Sequence, residues 1–325
     1  MNQTRSGSIL GAGDAVLAFD VGGTDTKSAL IDRSGSLLVV RRTPTVRNIH
    51  DPAGAIVESI ATLSRMHLDQ WPLVMPAAIG VSVPGLVDER TGIVHLAASL
   101  DWQDVPMRRL VGEAIGLPVS FGHDVRAAAA AECRLGAATG ARTAIVVAIG
   151  TGVAASLVID GAPHSGDGYA GELGHSLSDP TGERCPCGAV GCLETIASAS
   201  AIARRYSLKS GIRVAGAREV LHAASAGDPT ARAVWAQAIQ ALAESLARLV
   251  AVIAPEIIVI GGGLAQAGPA LLDPLRAHLD ALLSFHRRPR LERAAFGENA
   301  GLIGTALLAR DGAHETLHLT KTRRK

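Results

Sequence analysis

Residues 16–32 read VLAFDVGGTDTKSALID: an apolar strand, a Gly22-Gly23-Thr24 turn, a second strand, and an aspartate leading into RSGSLLVV. Strand, glycine turn, strand, turn, strand predicts an antiparallel meander starting at Val16. The pattern returns at residues 144–161, AIVVAIGTGVAASLVIDG, again with an apolar strand, a Gly-Thr turn, an apolar strand and an aspartate. Thr24 to Asp32 and Thr151 to Asp160 are nearly equal intervals. Any two hairpins resemble each other, but this pair suggests a duplicated domain, each half presenting its turn to a shared cleft. GAGDA, residues 11–15, precedes its strand instead of joining it to a helix, so a dinucleotide-binding reading fails on context.

Outward from these copies the elements alternate. AAIGVSVPG and LPVSFGHD read as strands, and VRAAAAAECRLG reads as a helix ended by Gly136. Trp235, Ile239, Leu242, Leu246, Leu249 and Ile253 recur at three- and four-residue steps, the mark of an amphipathic helix stopped by Pro255. EIIVIGGGLAQAG predicts strand, glycine turn and helix, and AGLIGTALLARDG a last helix. The class is α/β with two lobes. A chain of 325 residues can build both cores, mainly from Ala, Val, Leu and Ile, since 48% is hydrophobic and only 3% aromatic. A net charge of +1 gives no electrostatic case for nucleic acid or membrane, and no uninterrupted apolar run reaches the roughly 18 residues of a spanning helix. No secretory signal is read, so a cytoplasmic protein is expected.

Residues 171–194, GELGHSLSDPTGERCPCGAVGCLE, carry His175, Cys185, Cys187 and Cys192. One His and three Cys complete a tetrahedral zinc set, and a closed set leaves no position for a reacting water. The zinc is therefore expected to shape a loop. A disulfide or plain buried thiols are the alternatives; Cys185 and Cys187 are too close to bridge comfortably. Cys133, in an alanine-rich stretch, reads as core. Three glycine turns each follow a buried strand: Gly22-Gly23-Thr24 after Asp20, Gly150-Thr151-Gly152, and Gly261-Gly262-Gly263. Glycine lets backbone N–H groups approach phosphate oxygens, so three such turns argue for a bound nucleotide, without the Gly-Lys-Ser/Thr ending of a P-loop.

On these residues the chain resembles the ROK family (repressors, open reading frames and kinases) among the two-lobed, actin-like ATPases of ribonuclease H-like fold. DVGGTDTK is similar to the family's first phosphate motif, AIGTGVA to the second, PEIIVIGGG to the adenosine motif, and GELGH with CPCGAVGCLE to its zinc and sugar segment. The resemblance implies duplicated domains around an interlobe cleft: a flexible lead over 1–15, an N-terminal lobe over 16–121, and a C-terminal lobe over 122–298 with the zinc loop at 172–194. A terminal helix over 299–315 would return to the first lobe, ahead of a solvated basic tail at 316–325. It also implies Mg²⁺-dependent transfer of phosphate from ATP to a hexose or N-acylhexosamine, glucose being the leading guess, and a homodimer.

Carried over residue by residue, Asp124 of FGHDVRAAAAAE falls on the catalytic aspartate of the family's Asn-Asp-Ala-Asn segment. A carboxylate there accepts the proton of the attacking hydroxyl. It also suits an N-cap of the helix at Val125, where the dipole is expected to lower its pKa and keep it ionised. Glu172, His175 and Glu194 resemble sugar-hydroxyl contacts, with Gly85 and Ser99 at further sugar positions. Asp20 is expected to orient Mg²⁺ through water; Lys27 joins the phosphate motif or is only a solvated hairpin charge. Two positions depart from the family: His123 stands where Asn usually precedes the catalytic Asp, and Ser99 where Asn usually precedes Leu-x-Trp. An imidazole is bulkier than a carboxamide and titrates near neutrality, so the accepted hydroxyl pattern is expected to differ from that of glucose. A sugar-responsive repressor of the same family is the rival reading; the roughly fifteen residues before Val16 are too few for a helix-turn-helix domain. A sugar-binding relic without turnover is the third.

Overall fold

The structure, a computed structural model, describes residues 8–322. These fall into two compact units. One runs to Ala131, includes Ser165–Tyr169 and resumes at Asn299; the other comprises Glu132–His164 and Ala170–Glu298.

In the first unit the meander is present as β1 (Val16–Val21), β2 (Asp25–Ile31) and β3 (Leu37–Pro44). Parallel to β1 run β4 (Ala78–Val83) and β8 (Val119–His123), giving the order β3-β2-β1-β4-β8. All six residues of β4 are buried, as expected of a central parallel strand covered on both faces. Ile79 and Val81 pack with Ile56, Ile60 and Leu63 of α1 (Pro52–Gln70), which Asp51 caps by accepting the Gly54 amide. The alternate residues of β4, Gly80 and Ser82, face the last helix, α9 (Ala300–Thr322). A Cβ on Gly80 would lie 2.3 Å from the Thr305 carbonyl, and one on Gly304 1.8 Å from that of Ala127. Glycine is what lets this helix seat against the sheet.

Between β4 and β8 lies an unanticipated antiparallel sheet of β5 (Leu86–Asp88), β6 (Ile93–Ala97) and β7 (Trp102–Val105), followed by α2 (Met107–Ile115). The chain enters α3 (Asp124–Leu135) directly from β8.

The second unit repeats the first sheet's plan. β9 (Ala144–Ile149), β10 (Val153–Ile159) and β11 (Ala162–His164) form a meander, its second hairpin closed by Asp160 and Gly161, both at positive φ. β12 (Ile257–Gly261) and β13 (Arg290–Arg293) add in parallel, giving β11-β10-β9-β12-β13. Between the third and fourth strands of this sheet come α4 (Glu194–Ala197), α5 (Ala199–Ser210), α6 (Ala217–Ser225) and α7 (Pro229–Ile253). Gly263–Ala267 forms a 3-10 turn before α8 (Pro269–Leu282). Two sheets of one topology make this the duplicated, actin-like ATPase fold of ribonuclease H-like type. Among the described residues α7 is long and apolar enough to cross a membrane, although Arg232, Glu244 and Arg248 interrupt its apolar run. Its Leu242, Leu246 and Val250 pack instead into the unit's core with Ile145 and Ile258.

Three expectations need correcting. The lead is not free throughout: residues 1–7 lie outside the described residues, but Ile9 and Gly13 bond the Gly35 and Arg33 carbonyls. Buried Arg310 of α9 donates to the carbonyls of Leu10, Gly11, Asp14 and Asp32. The helix expected to stop at 315 continues to Thr322, so the 316–325 tail is helical as far as it is described. The first unit extends to Ala131 instead of 121, because the start of α3 packs with β8 and α9.

Candidate active site and metal centre

In the first unit the parallel strands end side by side. Asp20, the penultimate residue of β1, pairs with Ser82 of β4, and His123 at the end of β8 pairs with Val83. Asp124 opens α3 one residue later. Ligands of open α/β sheets collect at such carboxyl ends. Gly22 and Gly23 turn the chain into β2; a Cβ on Gly23 would lie 3.0 Å from that of Ser99, so this turn and Ser99 are neighbours. Ser99 sits in a 3-10 turn, Ala98–Leu100. Gly85 has φ of 106°, and a Cβ there would meet the Leu96 carbonyl at 2.2 Å. Lys27 is not a solvated hairpin charge: its side chain is only 18% exposed and its Nζ lies 3.9 Å from Asp20.

The electrostatics reverse two expectations. Asp124 does not have a lowered pKa. Burial pushes it up to about 6, against the opposing pull of the Val125 amide and of Arg126. Its Oδ1 takes the Val125 N–H at 2.7 Å, but α3 starts at Asp124 itself, so desolvation outweighs the helix terminus. Asp20 also rises to about 6, by burial first and the Asp124 charge second, with Lys27 and the Ser82 hydroxyl opposing. His123 does not titrate near neutrality: burial, then Arg126, hold it down at about 3, so the imidazole is neutral. Its Nδ1 accepts the Val125 N–H at 3.2 Å, which leaves the hydrogen on Nε2. With Nδ1 taken by the Val125 amide, the ring has one hydrogen left to donate, Nε2–H, where an Asn amide has two N–H donors and an acceptor oxygen.

In the second unit the other expected residues gather at the β9–β10 turn. Glu194 accepts the Val153 N–H at 2.9 Å, and a Cβ on Gly152 would lie 2.4 Å from the same carboxylate. Gly174 of GELGH packs on the Val153 carbonyl, where a Cβ would be 2.1 Å away, so Glu172 and His175 sit beside this turn. Gly262, at φ 76°, abuts Ile149, the residue before Gly150; a Cβ would meet its carbonyl at 2.4 Å. Gly150, Thr151, Gly152, Glu172, His175, Glu194 and Gly261–Gly263 therefore form one neighbourhood.

The loop that carries His175 and the three cysteines folds back through bridges between Leu177 and Cys192 and between Arg184 and Val190. Gly191, at φ 77°, passes so close to Asp179 that a Cβ would overlap its carbonyl. One ligand atom from each of His175, Cys185, Cys187 and Cys192 falls within 4.8 Å of all the others. Cys187 Sγ is 3.6 Å from Cys192 Sγ, and Cys185 Sγ is 3.6 Å from His175 Nδ1. A tetrahedron with Zn–S of about 2.3 Å has S···S edges of about 3.8 Å, so the donors fit zinc, whereas a disulfide needs about 2.05 Å. With Nδ1 toward the three sulfurs, His175 Nε2 faces Glu172 Oε2 at 4.0 Å, beyond hydrogen-bond distance.

Sequence reasoning missed two features. Ser82 and Thr305 form a buried hydroxyl pair, 2.6 Å apart, behind Asp20. Glu89, from the β5–β6 turn, holds the His123 amide and the Arg126 guanidinium. No local pattern announces either; the only signal was the basic Arg126 next to an expected pocket.

The ROK family profile matches residues 16–312. The chain is 34% identical to the glucokinase of Halalkalibacterium halodurans, over 90% of this chain and 94% of that one. It is 30% identical to the DNA-binding transcriptional repressor Mlc of Escherichia coli, over 78% of this chain and 68% of that protein. Among solved structures, a ROK family glucokinase from Streptomyces griseus in complex with glucose and AMPPNP is similar at TM-score 0.79 and 28% identity, covering 91% of this chain and 99% of that one.

Proposed function

The chain belongs to the ROK family, and from that premise we propose that it is a sugar kinase transferring the γ-phosphoryl group of ATP to a hydroxyl of a hexose, with glucose the first candidate. The observation that carries this reading is the half-buried, desolvated Asp124 carboxylate at the carboxyl ends of the parallel strands, with Asp20 beside it. Two desolvated carboxylates, one of them raised further by the charge of the other, are costly to keep unless a cation and a proton-donating substrate use them. The repressor reading, which the similarity to Mlc keeps in view, gives Asp124 no work.

In this mechanism Asp124 accepts the proton of the attacking sugar hydroxyl, and its raised pKa makes it a stronger base than a solvated carboxylate. Asp20, with Lys27 alongside, would hold Mg²⁺ at this place. The ion, when bound, neutralises charge on the phosphate oxygens. The amides of Gly22–Thr24 and Gly150–Gly152 cradle phosphates, and Gly261–Gly263 lies on the adenosine side. Glu172, His175, Glu194, Gly85, Ser99 and His123 meet the sugar hydroxyls, each needing a partner once water is gone. Zinc on His175, Cys185, Cys187 and Cys192 holds the segment that carries Glu172 and leads to Glu194. Four unbridged cysteines fit a cytosolic setting.

A coupled assay of ADP release across glucose, mannose, fructose, allose, N-acetylglucosamine and N-acetylmannosamine tests the reading. Release with at least one sugar is expected; silence on all six would shift the chain to a binding role. His123→Asn is expected to change the ratio of kcat/KM between two accepted sugars by about tenfold, with KM for ATP little altered. An unchanged sugar ranking would remove the imidazole from the pocket.

A further inference from the structure

The expected base stands on a junction that a charge pair clamps from outside both strand and helix. Glu89 Oε1 accepts the backbone N–H of His123 at 3.0 Å and the Nε–H of Arg126 at 2.8 Å. The two donors flank Asp124, one residue before it and two after. The Arg126 side chain is 4% exposed. Its Nη2 donates to the Val87 carbonyl at 3.3 Å, and its Nη1 has no hydrogen-bond partner among the described residues. A buried guanidinium so incompletely satisfied costs stability, and helix capping alone does not account for it. What the pair does achieve is to tie the backbone N–H of the last residue of β8 and a side chain from the first turn of α3 to the β5–β6 turn.

We infer that Glu89 and Arg126 are positioning residues: by holding the His123 amide and the first turn of α3 on one carboxylate oxygen, they set where Asp124 points. The inference rests on the kinase reading for its consequence in turnover, though not for the clamp itself. Displacing a catalytic group by about 1 Å can cost as much as about a hundredfold in rate, so a clamp of this kind has leverage on kcat. Neither residue touches the sugar or the nucleotide in this account.

Two conservative variants separate positioning from charge balance. Glu89→Asp keeps the negative charge but withdraws the oxygen from the His123 amide by about one C–C bond, roughly 1.5 Å. Glu89→Gln keeps an acceptor oxygen at the same reach and removes the charge. The clamp predicts that Glu89→Asp lowers kcat by about tenfold or more with KM for ATP within about twofold, while Glu89→Gln stays within about threefold of wild type in kcat. Hydrogen–deuterium exchange gives a readout independent of turnover: peptides spanning residues 121–126 should lose protection in Glu89→Asp and keep it in Glu89→Gln. Wild-type kcat in Glu89→Asp, equal losses in the two variants, or unchanged exchange in Glu89→Asp would each overturn the inference. If the wild-type chain phosphorylates no sugar, the kinase reading fails by itself, and the clamp is decided by the exchange result.

Discussion

Asp124→Asn is expected to abolish most turnover while making the folded protein more stable. Asparagine keeps the size of the side chain and an oxygen for the Val125 amide, so the β8–α3 junction should survive. What it lacks is the proton-accepting charge, a contribution of about 10²–10⁴-fold in rate. The stability effect follows from linkage. A carboxyl whose pKa rises from 3.8 to about 6 on folding binds its proton more tightly in the folded state. Its contribution is therefore present below about pH 4 and is lost as the pH climbs through about 6. At pH 7–8 the ionised, desolvated Asp124 is a liability of up to about 3 kcal/mol, which the amide does not incur. The melting temperature of Asp124→Asn should thus exceed that of wild type at pH 8, and the gap should close toward pH 4. In the wild type, kcat/KM should fall below about pH 6; because Asp20 also rises to about 6, in part through the Asp124 charge, that acid limb reports both groups. Turnover within about threefold of wild type would return Asp124 to a helix-end residue without a catalytic part.

The second large effect belongs to the metal loop. Metal analysis is expected to find about one zinc per chain, and Cys187→Ser to lose it. Loss of the ion frees the segment that carries Glu172 and His175 and leads into Glu194. Sugar KM should therefore rise by about 10–100-fold, with nucleotide affinity much less altered. Purified protein containing no metal, or a zinc-free variant with wild-type sugar KM, would contradict this assignment. Treatment with a strong chelator should reproduce the variant's behaviour and zinc should reverse it.

Much of this was readable in the chain because the informative interactions are local. DVGGTDTK announces its own turn, since glycines must stand where the backbone bends. The second meander was visible as a copy of the first. His175, Cys185, Cys187 and Cys192 lie within one loop, so spacing alone suffices to gather them. The readings that missed depend on atoms brought from far away. Asp124 looks like a helix cap in sequence, yet its pKa is set by the burial around it, which no neighbour in the chain reveals. His123 is neutral because Arg126 and the packing around it forbid a second charge. Glu89 and Arg126 are 37 residues apart along the chain, and an ion pair of that separation leaves no periodic trace. The β5–β7 sheet escaped for another reason: its strands are three to five residues long, too short for alternation to stand out.

The seating of α9 has a consequence for how the protein is born. The first sheet's strands leave the ribosome early, but Gly80 and Ser82 keep a bare face until Thr305 and its neighbours arrive. About 170 residues separate Ala131 from α9, so at roughly 5–20 residues per second the nascent sheet waits on the order of 10–30 s for its cover. The second unit, almost continuous in sequence, can complete itself within that interval. The half made first is then the half finished last, and a nascent-chain chaperone would find its client surface on the Gly80 face of β4.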